Sequence, residues 1–375
     1  MISRVDVVVV RDVTLLTLIS VIGLTFLFTA LSLYQIVNRF EVTPHFNTLM
    51  SFAPSLWISL LPMTLPMSAL FAATLVFGRM RGERELLLLA ASGVAPWRPY
   101  VMLLPLGIVV AAISWVGVSE LGPDAYAQRH SLQRQALADF IDAPPQGPRE
   151  LRFPGRGGPD ASIDISYESL RGRQYEGLKI LVYNDLGLLA SLSARSASIS
   201  YLRHSGTLVL SQCIEPRLVE FEPSSGRPAG APLVADRINE LRVPFDFGSE
   251  EDPDAPKAMR TMALLEDIRK DVVADSKQRA AAAELVRRTG LCGAGLLLPL
   301  LGALLASLVN HPNRLFAIGA GVIPSALGYY PLMTMATSLA ETANLPPEVA
   351  MCLAPAATLA AILVVVGALF RGRGV

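Results

Sequence analysis

Gly78-Arg79-Met80-Arg81-Gly82-Glu83-Arg84-Glu85-Leu86-Leu87-Leu88-Leu89-Ala90-Ala91-Ser92-Gly93-Val94-Ala95-Pro96 is a short, charge-headed helix signal set between two long apolar runs. Gly82 predicts a break in the incoming helix, and Glu83 and Glu85 then fall in a first turn, where negative charge suits the helix dipole. Leu86 to Ala91 are good helix formers, and Gly93 with Pro96 makes a stop. The expectation is an amphipathic helix over 83–92, well short of the ~20 residues a bilayer crossing needs and held against the membrane face by both ends. Such a helix can be a handle that another protein pulls. The plainer reading of the same residues is a charged loop that only fixes topology.

The flanking runs set the class of molecule. Hydrophobic residues make up 52% of the 375 and charged residues only 17%, with mean hydropathy +0.44. That is membrane-protein composition interrupted by something polar. Formal charge is zero, so no global field points to nucleic acid. Cys213, Cys292 and Cys352 do not suggest a disulfide framework, and neither they nor His45, His130, His204 and His311 have metal-ligand spacing.

Val13 to Val37 is an uncharged, mostly apolar run long enough to cross, and too long and too poor in a small-residue cleavage site for a cleaved signal peptide. Ala53 to Phe77 is a second span carrying Pro54, Pro62 and Pro66, and Pro99 to Ser119 a third. Glu120 to Arg288 has no spanning run. Gly122 to Asp142 reads as a polar helix leaving the membrane. Ser162–Tyr167, Leu178–Tyr183, Ala197–Tyr201 and Thr207–Ser211 alternate apolar and polar, with turn signals at Asn184–Gly187 and Arg203–Gly206. Alternation predicts an antiparallel sandwich or open barrel with one buried face. Met262 to Arg288 is a helical return. Thr289–Val309, Leu315–Leu339 and Val349–Phe370 are three more spans, the first two joined by a hairpin at Asn310–Arg314.

Basic residues near span ends orient the chain. With the N-terminus inside, Arg4, Arg11, Arg79, Arg81, Arg84, Arg98, Arg314, Arg371 and Arg373 are cytoplasmic, while the short outside connections carry only Arg39. The central block is then outside, as are Arg287 and Arg288, which run against the bias and either snorkel toward headgroups or have a task. The expected fold is an α-helical membrane protein of six transmembrane helices, three plus three, with an inserted all-β domain. Its parts are 1–119, 120–288 and 289–375.

No P-loop is present: none of the four lysines follows a glycine. Nor is there an H-E-x-x-H or a G-x-S-x-G. The spans hold almost no ionisable residue, which leaves a proton relay or a catalytic carboxylate pair unsupported. Glu120 and Asp124, just outside the third span, read as structural. Work done by such a chain draws its energy from a partner.

These features together resemble the lipopolysaccharide-transport permease family LptF/LptG, with a lean toward the F-like branch. The specific part is the pattern G-R-x-x-x-E-x-E followed by a closing glycine, here Gly78-Arg79, Glu83-Arg84-Glu85 and Ala91-Ser92-Gly93. The chain departs from the pattern with Arg84 and Ala95 where the family often has serines, and with four consecutive leucines. Glu284-Leu285-Val286-Arg287-Arg288 is similar to the family's E-x-x-x-R lead-in to span four. Glu176 to Gly187 and Ala194-Arg195-Ser196-Ala197 look like strands of its periplasmic β-jellyroll.

The resemblance implies a permease subunit of an ABC transporter in the inner membrane of a Gram-negative bacterium. Its N- and C-termini would be cytoplasmic and its jellyroll-like domain periplasmic. It implies partners: a dimeric LptB-like ATPase, a paralogous six-span permease, LptC/LptA-like bridge proteins and lipopolysaccharide, but no nucleic acid. No cofactor or metal is expected on this chain, ATP being used by the partner, and no catalytic residue. Glu83, Glu85, Leu86, Leu89 and Gly93 would couple to the ATPase. Arg39, Arg287 and Arg288 would meet lipid A phosphates, since guanidinium binds phosphate bidentately. Spans one and five would gate lipid entry, helped by Gly319, Ala320, Gly321, Ser325, Ala326 and Gly328.

Three other readings compete. A lipoprotein-release type ABC permease carries its large domain after the first span, whereas here it follows the third. A membrane scaffold that docks periplasmic partners does not need the coupling pattern, and a membrane hydrolase lacks its nucleophile.

Overall fold

The computed structural model describes residues 4–40, 46–128, 149–154, 162–172, 174–184, 187–202, 207–221, 228–242, 256–269, 276–309, 314–342 and 345–371. The elements are α1 (Arg4–Phe40), α2 (Phe46–Gly82), α3 (Glu85–Ala91), α4 (Arg98–Val101), α5 (Leu103–Val116), nine strands, α6 (Thr261–Arg269), α7 (Ser276–Leu308), α8 (Arg314–Glu341) and α9 (Pro347–Arg371). The Asp185–Leu186 and Arg203–Gly206 turns, the 310–313 part of the hairpin, and the stretch of the expected polar helix beyond residue 128 lie outside the described residues.

Six of the helical stretches are long and apolar enough to cross a membrane: Val7–Gln35, Ala53–Gly82, Arg98–Gln128, Gln278–Leu308, Phe316–Glu341 and Pro347–Leu369. Each runs past the apolar core read from sequence at one end at least, because a helix continues into its polar flanks until a breaker stops it. The third is not uniform: α5 passes into a π-helical turn, Gly117–Leu121, before the helix resumes. The expected return helix over 262–288 is instead α6 followed by α7, with residues 270–275 not described.

Packing divides the chain into two units, and the helical one is Met1–Thr29, Ser55–Tyr126 and Asp254–Val375. Residues 254–288, read from sequence with the inserted domain, thus pack with the helices. The centre of this unit is α2 and α7, which bury 67% and 61% of their most apolar windows against 22% for α1 and α9. Glycines set the separations. A Cβ on Gly295 of α7 would stand 2.9 Å from the Ala111 backbone nitrogen, and one on Gly107 of α5 would stand 3.1 Å from the Leu296 carbonyl. Gly302 and Gly321 both close onto Thr74 of α2. Thr25 and Thr64, both buried, share a hydrogen bond of 3.0 Å that ties α1 to α2.

The second unit, Ala30–Pro54 with Ala127–Pro253, contains the strands β1 (Arg149–Pro154), β2 (Ser162–Tyr167), β3 (Ser169–Arg171), β4 (Gln174–Asn184), β5 (Gly187–Leu202), β6 (Thr207–Ile214), β7 (Arg217–Glu220), β8 (Leu233–Val234) and β9 (Arg237–Arg242). They form one open antiparallel sheet, with the path β1-β2-β4-β5-β6-β9, β3 on β4, and β7 on β5 and β8. The alternation read from sequence is the buried face: Ile163 and Ile165 of β2, Leu178, Ile180 and Val182 of β4, and Leu192, Ala194 and Ile199 of β5.

The sheet bends where two long strands change phase together. Gly177 in β4 takes φ +63°, Ala194 and Ala197 of β5 are both buried, and the β5–β6 register shifts between Ser196 and Ser198. A bulge of this kind turns the strand and re-aims its side chains. Beyond it β5 changes partner, pairing with β7 over Ala190–Ser193 and with β6 from Ser196 on.

Candidate functional site

The stretch quoted first forms a corner at the end of the second span. Residues Gly78 to Gly82 belong to α2, and the short helix begins at Glu85 rather than Glu83. The physical reason is Arg84, which takes the left-handed conformation (φ 59°, ψ 17°) at the N-cap and so separates the two helices. Its carbonyl accepts from the Leu88 amide at 3.0 Å, opening α3. The helix ends in a Schellman motif: the Gly93 amide donates to the Ala90 carbonyl and the Val94 amide to the Leu89 carbonyl, each at 3.1 Å, with Gly93 at φ +82°.

One face of α3 is held down. Leu86 is buried in a cluster with Val9 and Val13 of α1, Val76, Phe77 and Met80 of α2, and Tyr100 of α4, and Leu89 packs against it. Tyr100 stacks on Phe77 with ring centroids 5.0 Å apart. The other face is free of apolar cover: Leu87 is 58% and Leu88 65% exposed. Four consecutive leucines thus split into one that anchors, one that half-anchors and two that point out, as a 3.6-residue period requires.

Between α1, the end of α2 and α3 lies a groove of about 480 Å³, lined by Val8, Val9 and Asp12, by Val76, Arg79 and Met80, and by Glu85, Leu88, Leu89 and Ser92. Glu85 therefore faces an apolar channel and not open water alone. Glu83 is exposed in the turn before it. Arg79 pairs with Asp12 at 3.3 Å across the groove. In the sequence Arg79 stands out as a topology signal and as the arginine of the Gly78-Arg79 pattern, while Asp12 does not stand out. The available cue was an acid immediately before the first apolar run, and nothing linear connects it to a residue 67 positions away.

The second set of expected residues lies on α7. Glu284 is the hub, accepting from Nε and Nη2 of Arg287 at 2.8 and 2.7 Å and from Nε of Arg288 at 2.9 Å. Arg288 also donates to the Thr261 hydroxyl at 2.8 Å and to the carbonyls of Met259 at 2.9 Å and Pro256 at 3.3 Å. Its side chain is 1% exposed, whereas that of Arg287 is 42% exposed. The two adjacent arginines, alike in sequence, have opposite settings: Arg288 is spent inside the protein, fixing the segment that leads into α6, and Arg287 faces out. Glu284 entered the sequence reading only as the acid of the E-x-x-x-R pattern, and Thr261 was not anticipated as a member of this cluster. Arg39 sits near the end of α1, and its side chain is outside the described residues.

Two comparisons with known proteins bear on these sites. The family model described as lipopolysaccharide export system permease LptF/LptG matches residues 8–368, nearly the whole chain. A search of curated proteins returned no match.

Proposed function

The chain belongs to the LptF/LptG family of lipopolysaccharide export permeases, and we propose that it is one permease half of an ABC transporter driven through α3. It is a multi-pass inner-membrane protein of the lipopolysaccharide export class. In the proposed complex a cytoplasmic LptB-like ATPase dimer seats α3, a paralogous six-span permease completes the pair, and LptC/LptA-like proteins take lipopolysaccharide onward from the periplasmic side. ATP is bound and hydrolysed by the partner, and the termini are cytoplasmic.

The observation that carries the reading is the corner: a seven-residue helix anchored through Leu86 and Leu89 to two spans, with Leu87, Leu88 and the Glu85 carboxylate left for a partner. A rigid, half-anchored helix passes a push into the bundle, whereas a loop would absorb it. Truncating one member of a buried interfacial charge pair costs roughly 2–5 kcal/mol, mainly by leaving its partner unpaired, so Glu85 is the residue to change. Arg287, whose side chain is 42% exposed even as it pairs with Glu284, is the better-placed candidate for a lipid A phosphate. Spans one and five remain the proposed gate. Terminal strands β1 and β9, each with one edge that has no strand partner among the described residues, could extend the sheet into a neighbouring jellyroll.

The test is an affinity pull-down of the tagged chain from its native membrane. The reading expects a P-loop ATPase and a second six-span chain in the eluate, both lost with Glu85→Lys while the permease is still recovered in normal amount. Recovery of periplasmic proteins alone would favour a docking scaffold and end the coupling role of α3.

A further inference from the structure

We propose that the Asp12–Arg79 ion pair is a latch that ties the first turns of span one to the last turn of α2, from which α3 departs, so that Asp12 is a positioning residue of the transport cycle. This rests on the coupling role proposed above for α3. Arg79 Nη2 lies 3.3 Å from Asp12 Oδ2, and the side chains are only 34% and 21% exposed. The pair spans the groove that Glu85, Leu88 and Leu89 of α3 line on a third side. Arg79 Nε is buried with no hydrogen-bond partner, so the guanidinium is held at this depth with Asp12 as its ionic partner among the described residues.

Apolar contact already joins these elements, since Val76, Phe77 and Met80 of α2 and Leu86 of α3 share a cluster with Val9 and Val13 of α1. Such contact resists separation but not sliding, because dispersion and burial are non-directional. A charge-assisted hydrogen bond is directional and fixes the register along the helices. Displacing α3 then moves the last turn of α2, to which it is joined, and the ion pair carries α1 with that turn, without passing the motion through the length of α2. Arg11 reaches the other oxygen of Asp12 at 3.3 Å, but it is the next residue on the same helix and 65% exposed. That bond stays within α1.

The experiment uses the complete transporter complex in proteoliposomes loaded with purified lipopolysaccharide, reading lipid released per ATP hydrolysed. Asp12→Asn and Arg79→Gln are each expected to keep ATP hydrolysis while the released ratio falls about two- to five-fold, the scale of one partly shielded ion pair. The double exchange, Asp12→Arg with Arg79→Asp, is expected to recover most of the ratio, and Arg11→Gln to change nothing. An unchanged ratio in both single variants overturns the latch, as does a double exchange no better than the singles. Failure of the isosteric Asp12→Asn chain to assemble would show a purely structural pair and overturn it too. A wild-type complex that hydrolyses ATP yet releases no lipid removes the coupling reading itself, an outcome distinct from the variant pattern.

Discussion

Arg288 carries its charge at 1% exposure, which is tolerable only because Glu284, Thr261 and two carbonyls take its donors. Removing Glu284 would leave that charge buried and uncompensated, a loss of about 3–5 kcal/mol. Glu284→Ala is therefore expected to lower the melting temperature of the purified protein markedly, and Arg288→Met much less, because it removes the buried charge itself and leaves Glu284 paired with Arg287. Equal shifts for the two would refute the burial argument. Arg287→Gln is expected to leave melting almost unchanged and to reduce photo-crosslinking of lipopolysaccharide; undiminished crosslinking would return Arg287 to a structural role beside Glu284. The adjacent arginines were legible as out of place against the charge bias. Which of them faces outward was not, because the answer depends on Thr261 and Met259, far away in the chain.

At the scale of elements, two devices turn patterns into geometry. The first is the pair of left-handed residues that bracket α3. Gly93→Ala places a Cβ at φ +82° with nothing within 4 Å of it, so the whole cost is backbone strain, about 1 kcal/mol. ATPase binding is expected to weaken modestly with Gly93→Ala and far more with Glu85→Lys, measured as retained partner in the same pull-down. The second device is close helix contact. Gly295→Val would drive its Cβ into the Ala111 backbone, 2.9 Å from nitrogen and 3.0 Å from Cα, and overpacking of this kind costs about 1–3 kcal/mol. Gly319→Ala meets only Ile323 at 4.0 Å and serves as the tolerated control. If both variants melt with the wild type, α5 and α7 are not held by that contact. Length and apolarity made the spans legible, while a single glycine's neighbour is not written in its own helix.

For the molecule as a whole, two central spans carry the bundle and the outer ones keep most of their apolar surface free. That distribution suits a protein whose outer faces meet lipid, substrate and a second permease. The proposed orientation makes a direct prediction. In a cysteine-free background, a cysteine at exposed Arg237 of β9 is expected to react with a membrane-impermeant maleimide in intact spheroplasts. A cysteine at exposed Ser92 is expected to react only after permeabilisation, and the reverse pattern would invert the topology. In the native chain, which retains its cysteines, Cys213 would stay unreactive with either topology until the sheet unfolds, since it is buried in the strand core and burial pushes its thiol pKa up, keeping it protonated.

The sequence by itself determined the six spans, the alternating strands, the short helix between Gly82 and Gly93 and the family pattern around it. All of these are properties of contiguous residues, read from periodicity, length and breakers. The tertiary structure alone decided that Leu86 anchors while Leu87 and Leu88 face out, that Arg288 is buried while Arg287 is partly exposed, and that Asp12 meets Arg79. Those outcomes depend on which distant segments fold against each other. Burial and pairing are properties of the space around a residue, and that space is built from parts of the chain its neighbours in sequence do not contain.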